Sequence, residues 1–281
     1  MQSAALESFR AASNKFVLPP WPLVRFEEVV FICVAYLATL WAVVRVMHHV
    51  KDPFELKRFR LWYNVACVAC SALTAWLFIT DALYNDYGFV CNNSFPHSVV
   101  VERSQWASYV FLLTKYLELT DTFVMALRKS FRQITFLHCY HHVSIIVVVW
   151  CYSRFSSGGD EWVPAALNSV VHVFMYSHYA AMTLGVRAPW KPLLTSMQLA
   201  QFCVIALQSY LSWTRQCGWA DFLKFMQMVY MGSMLVLFGR FFYGAYLSPE
   251  ASGAAVAPEA SMGRNDGNRG ISKSKVAAKR E

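Results

Sequence analysis

Charge is what this 281-residue chain has least of: Asp, Glu, Lys and Arg together make up 15% of it, against 57% hydrophobic residues. So little charge excludes a soluble globular protein of this size. The first 25 residues lack an apolar stretch ahead of a small-residue cleavage site, so no removable signal peptide is expected and the first apolar segment serves as its own insertion signal. The net charge of +8 is not spread over one basic face, because most Lys and Arg lie in short polar segments and the C-terminal tail. That distribution argues against nucleic acid as a partner and for a membrane-topology signal. What is abundant is aromatic: 14 Tyr, 10 Trp and 21 Phe exclude disorder, collagen and small disulfide scaffolds together.

About twenty mostly apolar residues cross roughly 30 Å of hydrocarbon as a helix. Windows of that kind fall at 26–47, 61–80, 104–127, 136–153, 162–184, 192–213 and 223–247. The reading is therefore an all-α, polytopic membrane protein with seven transmembrane helices. Residues 1–25 form a short N-terminal segment, 26–247 the membrane domain, and 248–281 a tail rich in Gly, Ala, Ser, Asn and Lys that reads as disordered.

Orientation follows the excess of Lys and Arg on the cytosolic side. Lys51, Lys57, Arg58, Arg60, Arg128, Lys129, Arg132, Arg187, Lys191 and six basic residues of the tail share one side; Arg10, Lys15, Arg25, Arg103, Arg154 and Arg215 lie on the other. The tail is thus expected in the cytosol and the N-terminus in the lumen. Asn92-Asn93-Ser94 matches a glycosylation sequon and falls in a lumenal loop of this topology. Six cysteines lie inside spans, while Cys91 and Cys217 fall in two lumenal loops, where an oxidising compartment permits a disulfide between them. Cys67 and Cys70 read as helix packing rather than a redox pair.

An Asp, Glu or Lys at the centre of a membrane helix costs roughly 2.5 to 3.5 kcal/mol, so such residues face an interior. Lys115, Glu118 and Asp121 recur at i, i+3 and i+6 on the third span. They read either as substrate-binding groups or as interhelical charge pairs. On the fourth span His138, His141 and His142 project from one face, with His138 between the other two, at about 100° per residue. Cys139 points nearly opposite His141, which disfavours a Cys-His pair. Asn168, His172 and Tyr176 form a stripe at i, i+4 and i+8 on the fifth span, and Thr195, Gln198 and Gln201 one at i, i+3 and i+6 on the sixth. Given the topology, all four stripes reach one layer in the cytosolic half, beneath basic loops. A polar chamber with a basic mouth suits a substrate with a greasy tail and a phosphate-bearing head.

Imidazole can ligate a metal, act as a base or attack a carbonyl directly. A membrane di-iron oxidase needs histidines in several boxes, yet His48 and His49 are adjacent, His97 sits in a loop, and no second H-x-x-H-H occurs. That reading and a non-enzymatic seven-helix receptor or carrier stay open beside a third.

The third rests on a resemblance. Lys115-x-x-Glu118-x-x-Asp121-Thr122, His138-x-x-His141-His142, Asn168-x-x-x-His172-x-x-Met175-Tyr176 and Thr195-x-x-Gln198-x-x-Gln201 are similar, in order, to the motifs of the very-long-chain fatty acid elongases, condensing enzymes of the endoplasmic reticulum membrane. His178 departs from the family's usual Tyr. The resemblance implies six helices closed into a barrel around a substrate tunnel, with the first span packed outside. It also implies condensation of an acyl-CoA with malonyl-CoA, releasing CO2 and CoA and leaving a 3-oxoacyl-CoA two carbons longer, without a cofactor or metal. By motif position His141 attacks the thioester and carries the acyl group, His172 assists, and His138 and His142 orient or polarise. Asn168, Gln198 and Gln201 are candidates to meet the enolate's charge. Arg128, Lys129, Arg132 and Lys191 are candidates for CoA phosphates, although positive-inside bias alone accounts for them. The implied partners are the reductases and dehydratase of the elongation cycle, membrane lipid and a second copy of the chain. Gln133, Trp62-Tyr63-Asn64 and Phe242-Tyr243 resemble elongases of polyunsaturated chains, whereas Ser157-Gly158-Gly159 resembles the saturated-chain group. Lys279 sits third from the end without the second lysine of a retrieval signal, so the expected compartment also rests on the resemblance.

Overall fold

The computed structural model describes residues 21–92, 99–156, 158–186, 189–218 and 220–248. It divides into two units, Met1–Phe242 and Tyr243–Glu281. In the first the described residues are helical, with no strand. The helices are α1 (Phe26–His49), α2 (Lys57–Tyr84), α3 (Val99–Glu118), α4 (Thr120–Leu127), α5 (Phe136–Phe155), α6 (Trp162–Thr183), α7 (Lys191–Thr214) and α8 (Asp221–Phe242). Short 3-10 turns, Phe131–Gln133 and Gly159–Glu161, precede α5 and α6. The described part of the second unit is one π-helical turn, Tyr243–Leu247, ending at Ser248. Its basic tail residues, like Arg10, Lys15, His97, Ser157 and Arg187, lie outside the described residues.

Four segments are long and apolar enough to cross a membrane: Phe26–His49, Lys57–Tyr84, Phe136–Phe155 and Asp221–Leu247. Their outward faces are apolar, with Phe31 71%, Trp62 72% and Leu83 76% exposed, as suits contact with lipid rather than water. At about 1.5 Å per residue the 28 residues of α2 reach about 42 Å, well beyond the hydrocarbon core.

Local chemistry explains where helices start, stop and break. The Arg25 amide donates to Glu28 at the start of α1, and Glu27 and Glu28 in its first turn oppose His48 and His49 in its last, matching the helix dipole. Thr135 caps α5, its hydroxyl oxygen accepting from the His138 amide at 3.2 Å, and so sets the turn that carries the histidines. The single window 104–127 is broken at Leu119. There the Leu119 amide bonds to Tyr116 O and the Thr122 amide to Leu119 O, so the chain tightens between α3 and α4. Lys115 and Glu118 thus end one helix and Asp121 begins another.

The packing partners are few. α2 lies against α3 and α6, α3 against α5, α5 against α8, α8 against α7, and α7 against α6; α1 rests on α4 and α5. The inward face of α1 is one stripe, Val29, Cys33, Tyr36, Leu40 and Met47.

Candidate active site

At one end of the bundle three chains of contacts hold the polar residues. The Lys115 ammonium donates to Glu118 Oε1 and Oε2 at 2.8 and 3.1 Å, and Glu118 Oε1 meets His172 Nδ1 at 2.9 Å. All three side chains are buried. An ionised carboxylate only accepts, so this contact puts the His172 proton on Nδ1 and leaves Nε2 with a lone pair. Tyr176 donates to Asp121 Oδ2 at 2.6 Å, fastening α6 to α4. In the third chain Tyr36 OH, Thr122 Oγ1 and His138 Nε2 follow one another at 2.8 Å each, joining α1, α4 and α5.

The rings of His138 and His142 lie 4.5 Å apart and those of His141 and His142 5.3 Å apart, edge to face. His142 is buried between its neighbours, while His141 keeps accessible surface where it lines a cavity. That cavity, about 430 Å³ with its open side included, lies between α3, α5, α6, α7 and α8. Its polar lining is His141, Asn168, Gln201, Gln227 and two tyrosines, Tyr152 and Tyr230; its apolar lining includes Phe111, Ile145, Val149, Phe202 and Met231. The Asn168 Oδ1 and Gln227 Nε2 atoms have no hydrogen-bond partner in the protein although buried. Beside an imidazole on a largely apolar cavity, these atoms leave one acceptor and one donor open to a bound group.

Not every residue singled out in the sequence reaches this cavity. His141, Asn168 and Gln201 line it; Lys115, Glu118, Asp121, His172 and Tyr176 form the hydrogen-bonded layer described above. Gln198 turns to Met175, its Nε2 3.7 Å from Sδ. Lys129 is occupied elsewhere: its ammonium donates to Val50 O and to Lys51 O, tying the α1–α2 connection. Arg128 caps α4, Arg132 lies exposed after it, and Lys191 lies exposed at the start of α7, so none of the four basic residues borders the cavity. His178 is buried against Trp190, ring centroids 6.1 Å apart, and does not line the cavity either. Among the described residues no group of three or more His, Cys, Asp or Glu is arranged to hold a metal ion.

The sequence reading missed Gln227 and Tyr230 on α8. The available signal was a single amide in an otherwise apolar stretch, with Tyr230 one helical turn on. It also missed the acids at the opposite end of the bundle. There Asp160 is buried and accepts from the Cys91 amide at 3.2 Å, the Asn92 amide at 2.8 Å, Asn92 Nδ2 at 2.9 Å and Ser212 Oγ at 2.7 Å. A disulfide joins Cys91 to Cys217 beside it. Asn92 opens the sequon. Its side-chain amide also donates to Gly88 O at 2.8 Å and the residue is 7% exposed, so the nitrogen a glycan needs is buried and engaged in the fold. Asn93 and Ser94 lie outside the described residues.

The profile of one protein family, GNS1/SUR4, matches residues 21–254. The chain belongs to the GNS1/SUR4 family. Curated relatives agree. It is 31% identical over 233 residues to human very long chain fatty acid elongase 5, covering 79% of this chain and 75% of that one. It is 28% identical over 216 residues to elongase 5 of Tachysurus fulvidraco, covering 76% and 73%. To mouse very long chain fatty acid elongase 4 it is 27% identical over 248 residues, covering 86% and 77%. With four helices long and apolar enough to cross a bilayer, the chain is a membrane protein, and its matched region takes in all four polar motifs.

Proposed function

We propose that this protein is an enzyme of fatty acid elongation that condenses a long-chain acyl-CoA with malonyl-CoA. One observation carries the reading: His141 borders a largely apolar cavity beside two buried amides with unpaired atoms, backed by a His172 whose Nδ1 is held by Glu118. The names of the relatives support the substrate class.

In the first half-reaction a ring nitrogen of His141 attacks the thioester carbonyl, the C–S bond breaks, CoA leaves as the thiolate, and His172 Nε2 takes the proton the imidazole gives up. The acyl group is then held as an acyl-imidazole. In the second, malonyl-CoA loses CO2 and the resulting enolate carbon attacks the acyl carbonyl. The new C–C bond forms as His141 departs and recovers its proton from His172, giving 3-oxoacyl-CoA. Developing oxyanion charge falls near Gln201 and Gln227, whose side-chain N–H groups donate to it, and near Asn168, which meets it through Nδ2, since its unpaired Oδ1 only accepts. His172 Nε2 serves as the proton acceptor across the chamber, and His138 and His142 hold the ring array in place.

The barrel belongs to this proposal. Six helices in the packing order α2, α3, α5, α8, α7, α6 and back to α2 suit a closed wall around the cavity, with α1 outside. So does a seven-span topology in the endoplasmic reticulum membrane, N-terminus lumenal and tail cytosolic, with the other enzymes of the cycle as neighbours. The CoA phosphates would meet Arg128, Arg132 and Lys191 at the histidine end; Lys129 stabilises the adjoining loop instead.

The test is a single-turnover incubation of purified protein with acyl-CoA, followed by intact-mass and peptide analysis. The expected adduct is one acyl group on His141, discharged as 3-oxoacyl-CoA when malonyl-CoA is added. His141→Ala should lose adduct and product while keeping the wild-type melting temperature. Full activity of that variant, or activity that depends on bound iron, overturns the reading.

A further inference from the structure

A second, smaller cavity of about 170 Å³ adjoins the first and shares Phe111, Val149, Tyr152 and Ala165 with it. Tyr152 lies eleven residues beyond His141 on α5, about 16 Å further along the axis at 1.5 Å per residue. Away from the histidines the walls are Phe78, Phe111, Val149 and Ala165, as an acyl chain requires. The end of the path is different, since Ser108 and Glu161 line it too.

Glu161 sits in the 3-10 turn before α6 and is 2% exposed. Its Oε1 accepts from Ser108 Oγ at 2.5 Å, but Oε2 has no hydrogen-bond partner. The neighbouring Asp160 has both oxygens occupied by donors from two chain segments, Cys91–Asn92 and Ser212. Folding therefore satisfies one of two adjacent acids and leaves the other with an open position on the cavity. A buried, unsatisfied carboxyl oxygen costs stability for which a hydrocarbon end offers nothing in return.

We propose that the far end of the acyl path reads the tail end of the chain, and that Glu161 favours acyl chains carrying a terminal or near-terminal hydroxyl over methyl-ended chains of equal length. This rests on the elongase reading. A hydroxyl suits the position because it donates and accepts, and so pairs with a carboxyl in either protonation state. A terminal carboxylate does not, because it would face Glu161 with Asp81 and Asp160 close by in the same buried layer. Burial pushes the Glu161 carboxyl up to about 8, against the opposing effect of the Ser108 hydroxyl and of the Gly158 amide, which makes no hydrogen bond to Oε2. The protonated form present at neutral pH can donate from Oε2 to the chain's oxygen.

The experiment pairs methyl-ended and ω-hydroxy acyl-CoAs of matched length, over a series of lengths, with malonyl-CoA and the purified full chain. The reaction reads kcat/KM, and binding of the same pairs is measured in parallel. For chains long enough to reach Glu161, wild type should favour the hydroxylated member about tenfold, the effect of one hydrogen bond to an otherwise unpaired buried group. Shorter pairs should not be discriminated. Glu161→Leu should erase the preference while still taking methyl-ended chains, and Glu161→Gln, which keeps a donor and the Ser108 contact, should retain part of it. Equal use of both members by wild type, or a preference that survives Glu161→Leu, overturns the proposal. Should Glu161→Leu not fold, the wild-type and Glu161→Gln ratios decide. Absence of condensation with every chain refutes the elongase reading instead, and the binding ratio still decides this one.

Discussion

The two ends of the helix bundle both bury carboxylates, and they satisfy them in opposite ways. At the histidine end Glu118 is held by an ammonium and an imidazole, groups that carry or exchange protons. At the disulfide end Asp160 is held by backbone amides, an Asn amide and a Ser hydroxyl, none of which titrates near neutrality. The first arrangement orients an imidazole; the second knots the connections α2–α3, α5–α6 and α7–α8 into one lock. Gly158 shows how tight the lock is. Its φ is +80°, and a Cβ there would stand 2.8 Å from Tyr87 OH and 2.9 Å from Ser104 Oγ.

The sharpest way to separate the two ends is Glu118→Leu, which strands the Lys115 ammonium in the interior. Stability should fall by about 3 to 5 kcal/mol, the cost of breaking a buried pair from one side. Lys115→Met in the same chain should recover most of the melting temperature but not the activity, because His172 loses its orienting partner. Recovery of both would reduce Glu118 to a packing residue.

A smaller effect is expected at the other end. Replacing Cys91 and Cys217 together by Ser should cost about 2 to 4 kcal/mol, since the bridge closes a loop of 126 residues. Turnover per folded molecule should stay unchanged, because the bridge lies away from the histidines. A fall in turnover with unaltered melting would show that the ends are coupled.

The last effect is a pH slope. The Glu161 carboxyl titrates near 8 when folded, pushed up by burial, and near 4.5 when free, so between these values the folded chain binds more protons than the unfolded one. Stability from this group is therefore fully present below about 4.5 and is lost as pH rises through about 8. Asp81 adds to the shift and Ser108 and Gly158 oppose it. Melting curves of Glu161→Gln between pH 5 and 9, read against wild type, should lack this part of the decline. Parallel curves would remove Glu161 from the account.

Much of the histidine end was legible because polar residues in apolar helices are costly and their spacing shows which face they share. His138, His141 and His142 on one face and His172 with Tyr176 on another are read directly from a 3.6-residue period. Pairing was not legible. Lys115, Glu118 and Asp121 share a spacing, yet a break at Leu119 hands the first two to His172 and the third to Tyr176. Gln227 escaped notice because one amide makes no periodic pattern, and Asp160 and Glu161 because they follow glycines in a turn rather than a helix. The sequon was legible, but not that the Asn92 amide is engaged inside the lock.

By itself the sequence determined an all-helical membrane protein and which residue types are available for chemistry, since both follow from hydrophobicity and period along a single segment. Which histidine borders the cavity, which basic residue is tied to a loop, and which of two neighbouring acids is left unsatisfied were decided only by the tertiary structure. Each depends on what an adjacent helix or turn, distant in the chain, places within 3 Å.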